Sequence, residues 1–207
     1  MRQVLTSVTA WATSQAFEGT RNAMHHAIDT LQHEHEAITL GLQILTRMDE
    51  RVNERVHAEH ITDTQDLVAL TDFLKAFADT CHHGKEEGIL FPAMQAKDLA
   101  QTQAPIARML DEHAQGRVHL ANMQAALHPE VNLTAFHEAA RAYTALLLAH
   151  IDKENTVLFP MAKRLLSGPE QSEMADAFEA YEDKVMGPGR HDALHAALKR
   201  LLAKYPG

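Results

Sequence analysis

Residues 82–92 read HHGKEEGILFP, and residues 150–160 read HIDKENTVLFP. Aligned on Phe-Pro, His82 falls on His150, Glu86 on Glu154, Phe91 on Phe159 and Pro92 on Pro160, so both copies are H-x-x-x-E-x-x-x-x-F-P. Residues four apart on a helix lie one above the other on the same face, and each phrase therefore aims one imidazole and one carboxylate at a single point. Two such phrases on two helices supply half of a two-metal cage. The alignment also sets a register. His83 and Glu87, the other His–Glu pair of the first copy, fall on Ile151 and Asn155, which cannot be ligands, and this favours His82 and Glu86.

Outward from these phrases, two more histidines stand where a helical core should be apolar. Leu31, His35, Ile38, Leu42 and Leu45 form a 4-3-4-3 seam with His35 inside it. Ile106, Met109, Leu110, His113, Gly116, Leu120, Met123 and Leu127 form a second stripe with His113 facing inward. The two phrases extend stripes of their own, Leu67, Leu70, Leu74 and Ala78 before His82, and Tyr143, Leu146 and Leu147 before His150. A lone His on an apolar stripe is ordinarily a hydrogen-bonded core residue. Two inward-facing Glu, each one turn from a His, are not explained by packing, because a buried unpaired carboxylate costs several kcal/mol.

No segment alternates with period two, so the chain is expected to be all-α. Four long amphipathic helices are expected over about 22–56, 64–97, 105–128 and 132–166, with Pro105 in the first turn of the third and Asn132 capping the fourth. Short connections between them imply an up-down-up-down four-helix bundle. Pro92 and Pro160 should kink their helices just beyond each Glu. The expected organisation is an arm over 1–21, a di-metal bundle over 22–168, and a helical extension over 169–207 packed on the bundle.

The stretches LQHEHEAI (31–38), CHHGKEEGILFP (81–92), DEHAQGR (111–117) and HIDKENTVLFP (150–160) together resemble the hemerythrin-like, HHE cation-binding domains. The resemblance covers about residues 25–166. It implies metal ligands at His35, His82, Glu86, His113, His150 and Glu154. The oxygen-carrying hemerythrins have a second His one turn after the first on the third helix. Here that position is Arg117, which speaks against simple reversible oxygen carriage.

Four imidazoles and two carboxylates are too many donors for one ion, and mixed nitrogen and oxygen ligation favours two non-haem irons, with zinc or manganese as substitutes. The two Glu would bridge the ions, and a solvent-derived oxo or hydroxo group would complete the bridge. Leu42, Leu74, Leu110, Leu146 and Leu147 are expected to wall the site. The function this implies is binding or reacting with a small diatomic or peroxide ligand, O2, NO or H2O2, at open coordination positions. The alternatives are an iron-handling or iron–sulfur-cluster repair protein, and a di-iron oxidoreductase removing peroxide or NO. A separate redox partner is compatible with each.

Elsewhere the residues read blandly. Cys81 is expected to be a small buried core residue, and Tyr143 a core Tyr whose hydroxyl finds a backbone partner. His191 and His195 read as a polar helix face packed on the bundle. His25, His26 and His33 lie off the first seam, and His57, His60, His119, His128 and His137 read as surface. A net charge of −9 argues against nucleic acid and against an anionic membrane surface. The opening MRQVLTSVTAWATSQA is too interrupted by Thr and Ser for a signal peptide, and the protein is read as cytoplasmic.

Overall fold

The computed structural model describes residues 26–53 and 63–206. The expected arm over 1–21, together with His25, His57 and His60, lies outside the described residues. Among those described, all regular structure is helical. The first long stretch is α1, Ala27–Asn53. The second is interrupted: α2 (Thr64–Phe73) passes into π-helical turns over Leu74–His83 and Glu86–Leu90, then into α3 (Phe91–Lys97). The third is α4, Leu99–Leu127. The fourth joins α5 (Leu133–Lys153) through a π-helical turn (Glu154–Leu158) to α6 (Phe159–Leu165). Two further helices follow, α7 (Gly168–Met186) and α8 (Arg190–Lys204).

The starts of these helices are chosen by side chains that accept from otherwise orphaned backbone N–H groups. Asp63 accepts from Gln65 N at 2.9 Å, and Asn132 accepts from Ala135 N at 3.0 Å. Asp98 accepts from Gln101 N at 3.0 Å, so α4 begins six residues earlier than expected and Pro105 lies inside it. The cap outweighs the proline as a start signal. Ser167 and Glu170 close a reciprocal capping box ahead of α7. Between α7 and α8, Gly187 and Gly189 take φ values of 71° and 73°, which only glycine adopts freely.

Two apolar clusters make the core. One gathers Ala37 to Met48, Leu67 to Ala78, Leu120 to Leu127 and Phe136 to Ile151. The other gathers Ala27, Ile28 and Leu31 with Leu90, Phe91, Met94, Ile106, Met109 and Leu158 to Leu166. Each of the four long stretches crosses from one cluster to the other, and successive stretches cross in opposite senses. At every crossing the chain passes a His: His35, His82, His113, His150. The polar layer is thus sandwiched between two dry clusters.

The last two helices pack onto this core. Met174 and Phe178 of α7 join the second cluster, and Leu194, Leu198 and Leu201 of α8 join the first. Asp66, at the start of α2, accepts from Arg200 Nη1 and from the Tyr205 hydroxyl, each at 2.9 Å. A Cβ at residue 84 would collide with the Tyr181 hydroxyl, so Gly84 lets α7 lie close across the first phrase. No described helix is long and apolar enough to cross a membrane.

Candidate metal centre

The repeated phrase acts first on its own backbone. Phe91 N–H bonds to the carbonyl of Glu86, and Phe159 N–H bonds to the carbonyl of Glu154, five residues back in each case. The following Pro92 and Pro160 have no N–H to donate. In place of a simple kink, then, each helix widens into a π turn that starts at the Glu, a device often found at functional sites. The Phe of each phrase then stacks on a His from another helix: Phe159 on His35 (5.2 Å, 14°) and Phe91 on His113 (5.9 Å, 20°).

All six residues of the expected ligand set converge. His35 Nε2 lies 3.0 Å from His82 Nε2, and His113 Nε2 lies 3.1 Å from His150 Nε2. Glu86 spans the two pairs, with Oε1 3.6 Å from His82 Nε2 and Oε2 3.5 Å from His113 Nε2. Glu154 Oε2 lies 3.2 Å from both His35 Nε2 and His150 Nε2. Both Glu are fully buried, and none of their four carboxylate oxygens has a hydrogen-bond partner. Such orphans are expensive without a cation between them.

The outer nitrogens explain why the inner ones point as they do. His82 Nδ1 meets Glu34 Oε2 at 2.8 Å, His150 Nδ1 meets Glu112 Oε2 at 3.0 Å, and His113 Nδ1 meets Glu87 Oε1 at 2.7 Å. His35 Nδ1 meets the Asn155 side-chain oxygen at 3.1 Å. An oxygen acceptor on Nδ1 fixes the proton there, and in the neutral ring it leaves the Nε2 lone pair facing inward. Burial pushes His82 down to about 4 and also lowers His113, which keeps both neutral near pH 7. For His150 burial is outweighed by Glu154 and Glu112, which raise it. Burial and the neighbouring Glu154 push Glu86 well above the usual carboxylate range. On Glu154 burial acts the same way, but His150 and His35 outweigh it and hold the carboxyl low.

A second layer repeats as faithfully as the first. Lys85 pairs with Glu34, and Lys153 pairs with Glu112. In both halves a Glu immediately precedes the seam His, at Glu34-His35 and Glu112-His113. In both phrases a Lys precedes the Glu, at Lys85-Glu86 and Lys153-Glu154. These recurrences were readable signals that the alignment on His and Glu passed over. Arg117, which stands where oxygen carriers have a second His, donates to Asp79 at 2.7 Å and to Glu87 at 2.6 Å. Glu87 therefore serves the site from outside it, as the partner of His113.

His83 behaves differently from the register reading. It is buried beside the site, and His83, Glu86, His113 and His150 each offer a ligand atom within 4.8 Å of the others. His35, His82, Glu86 and Glu154 form the other such group. The preceding π-helical run, Leu74–His83, turns less per residue than an α-helix, so adjacent residues 82 and 83 both reach the inner side.

Other expectations divide. Cys81 is buried, with burial pushing its thiol up to about 12. His191 and His195 pack 3.2 Å apart beside Phe77 and belong to neither metal-competent group. The Tyr143 hydroxyl is buried and finds no hydrogen-bond partner, backbone or otherwise. His137 is buried against Asp49 at 2.8 Å, not on the surface as expected. Leu42, Leu74 and Leu147 are buried as expected, whereas Leu110 is 40 % exposed and Leu146 is only partly buried; Met109 takes the inward place beside His113.

Over 119 residues the chain is 32% identical to the iron-sulfur cluster repair protein YtfE of Escherichia coli O1:K1, a match covering 53% of this chain and 52% of the relative. The same identity and coverage hold for the YtfE of Escherichia fergusonii. The chain thus spans about half the length of the curated relatives it matches. No solved structure matches it significantly. Residues 26–162, which hold every residue of the converging cluster, match the hemerythrin HHE cation binding domain, and the chain belongs to that family.

Proposed function

We propose that this protein is a non-haem di-iron protein of iron handling, acting in the supply or repair of iron–sulfur clusters. The observation that carries the metal reading is the set of four orphaned carboxylate oxygens on Glu86 and Glu154, buried between two pairs of inward lone pairs. Similarity to proteins named for iron–sulfur cluster repair favours iron handling over the broader small-ligand reading. One ion would be held by His35 and His82, the other by His113 and His150, with Glu86 and Glu154 shared. An oxo or hydroxo bridge would complete the pair, with zinc or manganese as substitutes. Bound there, iron supplies exchangeable coordination positions and a ferrous–ferric couple.

The chain's own residues do the rest. Glu34, Glu112, Glu87 and Asn155 hold four imidazoles in the tautomer that ligates. Lys85 and Lys153 balance the charge of Glu34 and Glu112. Leu42, Leu74 and Leu147 keep the layer dry. Among the described residues, the opposite crossings of successive stretches support an up-down-up-down bundle from Ala27 to Leu165, with the two helices after it as an extension. We read the protein as cytoplasmic.

Six protein donors shared by two ions would leave open positions, and this supports the second reading, a site for O2, NO or peroxide. The test is anaerobic loading with ferrous iron, metal analysis, then mixing with an apo-ferredoxin. Two ions per chain and passage of iron to the acceptor are expected. Retained iron with sustained turnover of peroxide or NO would replace iron handling by the second reading. One ion or none would remove both.

A further inference from the structure

The two halves of the site correspond bond for bond. Glu34 to His82 matches Glu112 to His150, Lys85 matches Lys153, the acceptor Glu87 on His113 matches Asn155 on His35, and Phe91 on His113 matches Phe159 on His35. The correspondence breaks in donor type at the position after the motif His. The second half has Ile151, an apolar side chain 8 % exposed. The first has His83, 2 % exposed.

Packing alone does not call for an imidazole there, since an aliphatic side chain serves the equivalent place. His83 Nδ1 has no hydrogen-bond partner; its nearest acid, Asp79 Oδ1, stands 3.7 Å off. Asp79 is already engaged by Lys75 at 2.5 Å and by Arg117 at 2.7 Å. The ring lies against His113, 3.9 Å between centroids and 13° from parallel, and edge-on to His150 at 5.5 Å. With Nδ1 turned toward Asp79, the other nitrogen is left for the cluster formed with Glu86, His113 and His150.

We infer that His83 is a further metal ligand, serving the ion held by His113 and His150 and so making the two metal positions unequal. One position then has three imidazoles and the other has two, which makes the ion at His35 and His82 the one released first. For both lone pairs to meet one ion, the parallel rings of His83 and His113 must splay by rotation of the His83 side chain. The inference rests on the two-ion reading and gives it a direction: the labile ion is the one available to an acceptor.

The test uses the full chain loaded anaerobically with ferrous iron and mixed with excess chromogenic chelator. Two release phases of equal amplitude are expected. In His83→Ile, which copies the other half, the slow phase should accelerate about 10-fold or more while the fast phase holds. Independently of any variant, proton NMR of the cobalt(II)-loaded chain should show five solvent-exchangeable, paramagnetically shifted imidazole N–H signals, from His35, His82, His83, His113 and His150. Four such signals, or a His83→Ile trace superposing on that of the unmodified chain, overturns the inference alone. A chain that binds fewer than two ions overturns the two-ion reading as well.

Discussion

Arg117 Nη2 donates to Glu87 Oε1 at 2.6 Å, and that same oxygen receives His113 Nδ1 at 2.7 Å. The guanidinium, standing where the oxygen-carrying hemerythrins have a second His, therefore steadies the partner of His113. Its other hydrogen bond, to Asp79, ties the same corner to the helix before His82. Partners of this kind typically change metal affinity by about 10–100-fold. Glu87→Ala should weaken one of the two ions by about that factor without abolishing binding, and Arg117→Ala should do less, because Glu87 remains. Competitive metal titration of both variants measures this. A Glu87→Ala chain with unchanged affinity for both ions would show that the His113 partner is dispensable.

Glu86 is fully buried, its oxygens have no hydrogen-bond partner, and burial and Glu154 raise its proton affinity. In the metal-free chain it is a liability. Glu86→Leu should therefore stabilise the metal-free protein by about 1–3 kcal/mol, the desolvation penalty of an unsatisfied buried polar group, while eliminating paired metal binding. Such an exchange of stability for function is common at functional sites. Thermal unfolding after chelation, beside metal analysis, decides the matter. A metal-free variant less stable than the unmodified chain would mean that Glu86 has a structural partner we have not recognised.

The all-helical architecture and the convergence of the six inner His and Glu were legible because both write themselves periodically. An inward Glu one turn after an inward His conflicts with burial unless a cation is present, and the conflict occurs twice. What escaped was set by contacts between helices. His83 was disfavoured because its place in the second copy holds Ile151, and the π-helical run that carries it to the inner side leaves no mark in a hydrophobic pattern. Pro105 suggested a helix start, yet Asp98 supplied a better one. His137 looked like surface until Asp49, nearly ninety residues away in sequence, came to pair with it. Tyr143 had the spacing of a core residue, and no spacing tells whether a hydroxyl finds an acceptor.

Asp66 anchors α8 to α2. Burial pushes its carboxyl up, but hydrogen bonds from Lys204, Tyr205 and Arg200 outweigh this and hold it below its ordinary value of 3.8. A carboxylate depressed on folding stabilises the native state above the unfolded pKa, and that contribution fades as pH falls through the folded one. Asp66→Asn should accordingly cost about 1–3 kcal/mol at pH 7, the range for charge-assisted hydrogen bonds. The gap to the unmodified chain should narrow below about pH 4. Chemical denaturation at pH 7 and pH 3 tests the sign, and a gap that is constant or widens in acid contradicts it.

Lys85 and Lys153 occupy equivalent places in the repeat but not equivalent solvents. The Lys85 side chain is 1 % exposed and pairs with both Glu34 and, at 3.2 Å, Glu182 of α7; the Lys153 side chain is 26 % exposed and meets Glu112, which Arg108 also holds at 3.1 Å. Glu34 is kept near 2 because Lys85 and His82 outweigh the upward push of burial. Replacing Lys85 by Met strands a mostly buried carboxylate and frees one anchor of α7. The cost should approach the roughly 3–5 kcal/mol typical of breaking a buried pair. Glu112 is as buried as Glu34, but Lys153→Met leaves it paired with Arg108 and His150 and removes a Lys that is itself partly exposed, so the cost should be smaller, about 1 kcal/mol. The two substitutions therefore serve as each other's control: the same chemistry in the same motif, separated by the burial of the Lys and by the further partners Glu182 and Arg108. Equal losses of unfolding free energy would show that the repeat, and not the environment of each copy, sets the strength of the outer layer.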